Sequence, residues 1–148
     1  MSRNPTLREL ITQYEAGSFL FTEPLNRAFQ VEVLKPKFVK REHGYVIQDI
    51  LGIQVTYGYS KEYPECRIEE LEAWEKYWEH EVKNYVADLQ ALLGIVAMFC
   101  QKDNLSFSLD FWEGAWIVGM EKVYESRNTL PQLAIIEALL NYTEAQDV

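Results

Sequence analysis

The stretch from Ile68 to Lys102 constrains the fold most, because it carries a helical pattern along its whole length without a proline. Its apolar and aromatic residues recur every three or four positions, which keeps side chains on one face of an α-helix. They are Leu71, Trp74, Trp78, Val82, Tyr85, Leu89, Leu92, Val96 and Phe99. The pattern predicts one unbroken helix of roughly 50 Å, at about 1.5 Å per residue.

The two halves of this predicted helix differ in character. The first half carries six glutamates: Glu69, Glu70, Glu72, Glu75, Glu79 and Glu81. The helix dipole favours acidic side chains only within the first turn, and most of these glutamates lie beyond it, so they mark a solvated face. From Val86 onward the sequence is apolar nearly all round, which predicts that other elements surround this half at the centre of the core. Gly94 is a point at which the helix can bend.

Three further helices follow from capping patterns and apolar stripes. Thr6 and Glu9 fit the S/T-x-x-E capping box and open an N-terminal helix. Asp110 and Glu113 resemble a second box, which predicts a helix with Trp112 on its apolar face. Trp116, Gly119 and Val123 continue that face. A third box, at Thr129 and Gln132, opens the last helix, and Pro131 fits its first turn.

Alternating apolar residues predict three strands, at Phe29–Leu34, Tyr45–Tyr57 and Leu105–Leu109. Gly52, inside the second run, is interpreted either as a bulge or as the point where two strands separate. The predicted fold class is therefore α+β. We expect a small, mainly antiparallel sheet of about three strands, packed by the long central helix, two C-terminal helices and the N-terminal helix.

Length and composition predict one globular domain over residues 1–148. A hydrophobic content of 48% excludes a disordered chain. A formal charge of −9 argues against direct binding of nucleic acid, whose backbone attracts basic surfaces.

The cysteines and the apolar runs point to a cytoplasmic protein that does not enter a membrane. Cys66 and Cys100 lie far apart, which favours a reduced compartment. The first residues contain no apolar signal core. The most apolar run, from Val86 to Cys100, contains Asp88 and is shorter than the roughly 20 residues that a membrane span needs.

No residue pattern specifies a catalytic site. The residues one helical turn from His80 include Lys76 and Lys83, which are poor metal ligands, and His43 is distant in sequence. A Gly-x-Ser-x-Gly elbow and a glycine-rich phosphate loop are both lacking from the sequence. We therefore predict no catalytic residue, no metal and no cofactor, and we favour a protein that is not an enzyme.

A basic connection marked by Pro36 and Gly44 follows the first predicted strand, with room for one more short paired stretch around Phe38. Lys35, Lys37, Lys40 and Arg41 against Glu42 give a local charge of +3, which leaves −12 for the rest of a chain whose total is −9. Such separation of charge orients a molecule toward an acidic partner or a phosphate. The alternative is a hairpin end whose lysines protect a strand edge from aggregation.

The acidic half of the long helix also carries aromatic residues, which makes it the candidate partner-binding surface. Trp74 and Trp78 share a face, whereas Tyr77 lies well round the helix from them, so one apolar stripe cannot easily bury all three. Aromatic residues with charged neighbours anchor interfaces. The candidate residues are Trp74, Tyr77, Trp78, Glu72, Glu75 and Glu79. The alternative is that the aromatic residues pack on the sheet as core.

These observations support three hypotheses. The first is a protein–protein interaction module (an adaptor, inhibitor or regulatory subunit) with a partner that is basic, or with a second copy bound through Trp74 and Trp78. The second is an enzyme or small-molecule-binding protein with an aromatic pocket between sheet and helices. That pocket would be lined by Tyr45, Tyr57, Trp112 and Trp116. The third is an acidic protein that occupies the nucleic-acid-binding surface of a basic partner, with glutamates in place of phosphates.

Overall fold

A computed structural model describes residues 5–15, 22–41, 44–58, 70–80, 83–121 and 124–146. The helices are α1 (Leu7–Glu15), α2 (Thr22–Phe29), α3 (Glu70–His80), α4 (Leu89–Asp103) and α5 (Pro131–Gln146), and a π-helical turn (Gln30–Leu34) follows α2. The strands are β1 (Lys37–Arg41), β2 (Gly44–Gln48), β3 (Gln54–Gly58), β4 (Phe107–Trp112), β5 (Ala115–Met120) and β6 (Tyr124–Asn128). The predicted fold class, α+β with small antiparallel sheets, is confirmed.

The chain forms two compact units, each built around one three-stranded antiparallel sheet. The larger unit comprises Met1–Val33 and Asn84–Val148, and the smaller unit comprises Leu34–Lys83. The strand order is β4-β5-β6 in the larger unit and β1-β2-β3 in the smaller one. The sequence predicted a single sheet, and this is wrong, because its three predicted strands are divided between two sheets or are helical.

Helix α5 is the centre of the larger unit. Nine of its sixteen residues are buried, and they lie on every side of the helix. It packs on one face of the β4-β5-β6 sheet, where the Ser126 hydroxyl donates to the Ala134 carbonyl. Nearby, Asn128 Nδ2 donates to Glu137 Oε1 at 2.9 Å. Val118 and Met120 share that face of the sheet and are fully buried.

Helix α4 occupies a less central position than its sequence predicted. Its buried residues are Leu92, Ile95, Val96 and Phe99, which form one stripe. Gly94 and Ala97 are exposed on the opposite side. The prediction of an apolar helix surrounded on all sides is therefore wrong for α4. Small apolar side chains lose little by facing water, because the hydrophobic free energy scales with the area removed from it.

The segment predicted as a first strand, Phe29–Leu34, is helical instead. Phe29 and Val33 are fully buried, but Val31, which an alternating strand would place beside them, is 47% exposed. Residues four apart share a helical face, and the π-helical turn keeps Phe29 and Val33 buried. The helical conformation also places the Glu32 carboxylate at the start of α1, where it accepts a hydrogen bond from the Leu7 amide at 2.6 Å.

In the smaller unit, the second predicted strand is divided at Gly52 into β2 and β3, as one of the two alternatives expected. Asp49 closes the turn between them: its amide donates to the Ile53 carbonyl at 3.0 Å. Its Oδ1 accepts from the amides of Leu51 at 2.9 Å and Ile53 at 3.1 Å. Gly52 adopts φ +86°, a left-handed conformation that glycine tolerates best.

The prediction of one helix over 68–102 is wrong. Helix α3 ends at His80, residues 83–88 are not helical, and α4 begins at Leu89. Two polar side chains account for the break. Asn84 Oδ1 accepts from the Ala87 amide at 3.2 Å, and Asp88 Oδ1 accepts from the Ala91 amide at 3.0 Å. Such bonds offer the backbone an alternative to helix, and Asp88 is the N-cap of α4.

The predicted helix that begins at Asp110 is also wrong, since this region is the β4–β5 hairpin. Trp112 pairs with Ala115 across a two-residue turn, Glu113-Gly114. Both turn residues have positive φ, +51° and +78°, which matches the right-handed twist of the flanking strands. The strand predicted at Leu105–Leu109 runs instead from Phe107 to Trp112.

Of the helices the structure describes, none combines the length and apolar character that a membrane crossing requires.

Candidate functional site

The aromatic residues of α3 pack first against their own sheet. Tyr77 and Ala73 are buried in a cluster with Tyr45 and Ile47 of β2. Trp74 and Trp78 are half-buried and contact the same cluster, together with Phe38 and Val55. Tyr77 is therefore a core residue, as the alternative interpretation predicts, whereas the two tryptophans keep part of their surface in water.

The three rings of α3 hold one another in place. The Trp74 and Trp78 rings stack, with centroids 6.1 Å apart and planes at 17°. Tyr77 meets Trp78 edge-on at 4.9 Å and Trp74 edge-on at 5.8 Å. Such pairs contribute roughly 0.5–1.5 kcal/mol beyond burial of their area. The exposed parts of the tryptophans thus belong to a rigid surface, which loses little entropy when it is covered.

The side chains of α3 change from apolar to acidic around the helix. At 100° per residue, Trp74, Trp78 and Leu71 follow Tyr77 in order around the axis, and the glutamates come next. Leu71 is 72% exposed. Glu75, Glu79 and Glu72, which continue the order, are all exposed. We call Leu71, Trp74, Trp78, Glu72, Glu75 and Glu79 the α3 surface.

The charges of the α3 surface are only partly neutralised within the chain. Lys76 Nζ lies 3.8 Å from Glu72 Oε1, one helical turn away. His80 Nε2 lies 3.9 Å from Glu79 Oε2. Both pairs are exposed, and exposed pairs contribute little. Within the described residues Glu75 makes no ion pair. Its carboxylate lies one helical turn from Leu71 and can therefore bind a cationic side chain of a partner.

The predicted basic loop is mostly a strand, and its charges divide between two faces. Lys37, Lys40 and Arg41 belong to β1, and Lys35 precedes it with φ +51°. Lys40 lies opposite Tyr45 on the face that packs against α3, whereas Lys37 lies opposite Gln48 on the other face. Residues 37–41 pair with β2, so the predicted connection contains the short paired stretch expected around Phe38. The Arg41 side chain and His43 lie outside the described residues.

The four aromatic residues of the predicted pocket lie on two different sheets. Tyr45 and Tyr57 are directly opposite each other on β2 and β3. Trp112 and Trp116 lie on β4 and β5, where the Trp116 ring meets Phe111 at 5.1 Å. Tyr45 is buried, Trp116 is half-buried and Trp112 is 64% exposed. The pocket itself stays a prediction.

Sequence reasoning missed one exposed aromatic side chain on β4, Phe111, and placed its neighbour Trp112 on a helix. Phe111 is 58% exposed and Trp112 is 64% exposed, next to the hairpin turn. The signal was the dipeptide Glu113-Gly114: a glycine after a polar residue, between alternating apolar residues, favours a two-residue hairpin.

The pKa values of Asp49 and Cys100 are both raised. Burial raises the pKa of Asp49 above 3.8, although the backbone bonds of Ile53, Leu51 and Gly52 oppose the shift. Burial, helped by the negative charge of Glu121, raises the pKa of the Cys100 thiol. A raised thiol pKa lowers the thiolate fraction and so the reactivity of the cysteine. Cys66 lies outside the described residues.

Within the described parts of the chain, no three His, Cys, Asp or Glu side chains come together as a metal ion would require.

Comparison of the chain with protein-family models, with curated proteins and with solved structures gives no match.

Proposed function

We propose that the chain is a protein–protein interaction module and that the α3 surface binds a basic segment of a partner protein. The carrying observation is the position of Leu71: it is 72% exposed and lies between half-buried stacked tryptophans and a row of exposed glutamates. A large aliphatic side chain left in water beside aromatic rings is a feature of interface centres.

The chemistry of the surface defines the partner. A lysine or arginine side chain has an apolar stem and a charged end. The stem would lie on Leu71 and Trp78, while the charged end reaches Glu75 or Glu79. An arginine would also stack on an indole ring, which is worth about 0.5–2 kcal/mol depending on how well the pair excludes water. An acidic partner would meet like charge along the whole row and is disfavoured.

The proposal is tested by capture of a partner from native lysate with the full chain, quantified by mass spectrometry. Two variants change the surface without touching buried side chains, Leu71→Ser and Glu75→Lys. Matched controls make the same changes in the larger unit, at Val31, which is 47% exposed, and at Glu125, which is exposed. We expect a stoichiometric partner that both α3 variants lose and that Val31→Ser and Glu125→Lys retain. A partner that all four variants retain would contradict the proposal.

The same experiment separates this proposal from the hypothesis of a nucleic-acid imitator. That hypothesis also uses Glu72, Glu75 and Glu79, but it requires that added nucleic acid competes with the chain for the partner. Release of the captured partner by a short DNA duplex at constant ionic strength would support the hypothesis of a nucleic-acid imitator. If only salt releases it, the partner is a basic protein segment that does not bind nucleic acid. The small-molecule hypothesis predicts a different result, a large thermal stabilisation by one metabolite.

A further inference from the structure

The outer edge of β4 carries unused backbone hydrogen-bonding groups. The Glu121 amide donates to the Ser106 carbonyl at 3.2 Å, which fixes the phase of the β4–β5 ladder. In an antiparallel pair alternate residues bond the partner strand. Ser108, Asp110 and Trp112 therefore bond β5. Phe107, Leu109 and Phe111 direct their N–H and C=O groups away from it, and no described strand pairs with that edge.

This edge lacks the protection that the edges of β6 and β1 have. On β6, the outward positions are Glu125 and Arg127, which are both charged and exposed. On β1, the outward position before Phe38 is Pro36, which has no N–H, and the next is Lys40. Lysine and proline discourage pairing of an edge with another chain. On β4 all three outward positions are apolar.

The sequence of β4 is complementary to itself when it is reversed. Phe107-Ser108-Leu109-Asp110-Phe111 reads apolar, polar, apolar, polar, apolar in both directions around Leu109. In an antiparallel pair of two such strands centred on Leu109, each Phe107 lies opposite Phe111 of the other copy. Each Ser108 lies opposite Asp110, so a hydroxyl donor faces a carboxylate acceptor.

We propose that a second copy of this chain binds the β4 edge, by antiparallel pairing of β4 with β4 about a two-fold axis at Leu109. The β4-β5-β6 sheets of the two copies then form one six-stranded sheet. The N–H and C=O groups of Phe107, Leu109 and Phe111 are thereby hydrogen-bonded in both copies. The two Asp110 residues are diagonal neighbours, about 7–8 Å apart, and do not oppose each other directly. The pairing covers Phe111 and uses no residue of the α3 surface, so it does not depend on the function proposed above.

The oligomeric state of variants at Leu109 and Ser108 tests this interface. Leu109→Lys places two ammonium groups opposite each other at the axis. Val31→Lys is the matched control, because it makes the same change at an exposed apolar position of the same unit. Sedimentation velocity of the full chain is measured over roughly a hundredfold range of concentration, since dimerisation depends on it. We expect a concentration-dependent dimer, retained in Val31→Lys and weakened at least tenfold in Leu109→Lys.

A second variant tests the register and does not rely on a loss. Ser108 is exposed, so Ser108→Lys leaves the core intact. It sets a lysine opposite Asp110 of the other copy, twice per dimer, and we expect the dimer dissociation constant to fall several-fold. In the double variant Ser108→Lys/Asp110→Lys, lysine opposes lysine and the gain disappears. A wild-type chain that stays monomeric over the whole range, or a dimer that Leu109→Lys and Ser108→Lys leave unchanged, overturns the proposal.

Discussion

The two sheets of this chain have the same number of strands and the same order, yet a different kind of helix covers each. Helix α5 buries nine of its sixteen residues in the larger unit, whereas α3 buries two of its eleven in the smaller unit. A helix that is apolar on every side is used for stability, and an amphipathic one leaves a face for other purposes. Helix α5 therefore contributes more buried apolar surface than α3, and α3 carries the candidate contact surface.

The sharpest test of this comparison makes one chemical change in each helix. Leu139 of α5 is fully buried and Leu71 of α3 is 72% exposed. Leu139→Ala should lower the free energy of unfolding by about 2–5 kcal/mol, because it leaves a cavity. Leu71→Ala should change it by no more than about 0.5 kcal/mol. Urea denaturation followed by circular dichroism measures both. Similar losses in the two variants would mean that α3 is as deeply packed as α5.

Each sheet has a left-handed glycine in a turn, Gly52 between β2 and β3 and Gly114 between β4 and β5. Gly114 has φ +78° with open space around it, so Gly114→Ala introduces backbone strain without a clash. We expect a loss of about 1–2 kcal/mol in the free energy of unfolding. Gly94 of α4 is the control: it also has open space but no positive φ. There the same change should stabilise by up to about 1 kcal/mol, through helix propensity. Equal effects at the two glycines would contradict the turn geometry.

The assignment of α3 and α4 to different units requires that they are separate helices. Asp88 caps α4 through the Ala91 amide. Asp88→Ala should therefore destabilise the chain by about 1 kcal/mol in thermal or urea unfolding. In a continuous helix the same change would be neutral or stabilising, because alanine is the better helix former. Asp88→Ser, which keeps a capping oxygen, serves as the control and should recover most of the loss.

The smallest expected effect concerns the β2–β3 turn. Burial raises the pKa of Asp49 above 3.8, so between 3.8 and the folded-state pKa the folded chain binds more protons than the unfolded chain. The contribution of Asp49 to stability therefore falls as the pH rises through that interval. Asp49→Asn keeps an oxygen for the Leu51 and Ile53 amides and does not ionise. Relative to wild type, it should become more stable as the pH rises from below 3.8 to neutrality, as urea titrations at several pH values will show.

An opposite trend, in which Asp49→Asn loses stability relative to wild type at neutral pH, would mean that the backbone bonds outweigh burial at Asp49. The β2–β3 turn would then depend on the charge of Asp49 as well as on the left-handed conformation of Gly52.

Much of the architecture follows from local patterns in the sequence. The N-terminal helix, the last helix, the strands on either side of Gly52 and the α+β class were all predicted, because short-range periodicity and turn residues determine them. Two longer patterns of the sequence led to wrong predictions of helix. The stripe from Leu71 to Phe99 continues in phase across Asn84 and Asp88, so periodicity alone did not show that these side chains bind the backbone and stop the helix. Trp112 and Trp116 are four apart, as on a helix, but Gly114 between them makes a hairpin.

For the candidate site, the sequence suggested the aromatic residues and glutamates of α3, but it did not suggest Leu71 and did not give the burial of these side chains. Tyr77 and the two tryptophans are all large aromatic residues of one helix, and only packing on β2 distinguishes the buried ring from the half-buried ones. The free edge of β4 was not predictable, because it depends on which strands pair, and strand pairing joins residues far apart in sequence.

The larger unit is assembled from two separate stretches of the chain, and this has a consequence for biosynthesis. Helices α1 and α2 leave the ribosome before the segments that cover them, since Asn26 binds Asn84 and Val86, and Arg8 binds Asn141. The smaller unit is continuous in sequence and is complete while α5 is still untranslated. The nascent chain therefore contains the whole of the smaller unit before the larger unit has all of its segments, and α1 gains its contact with α5 only when the last helix is made.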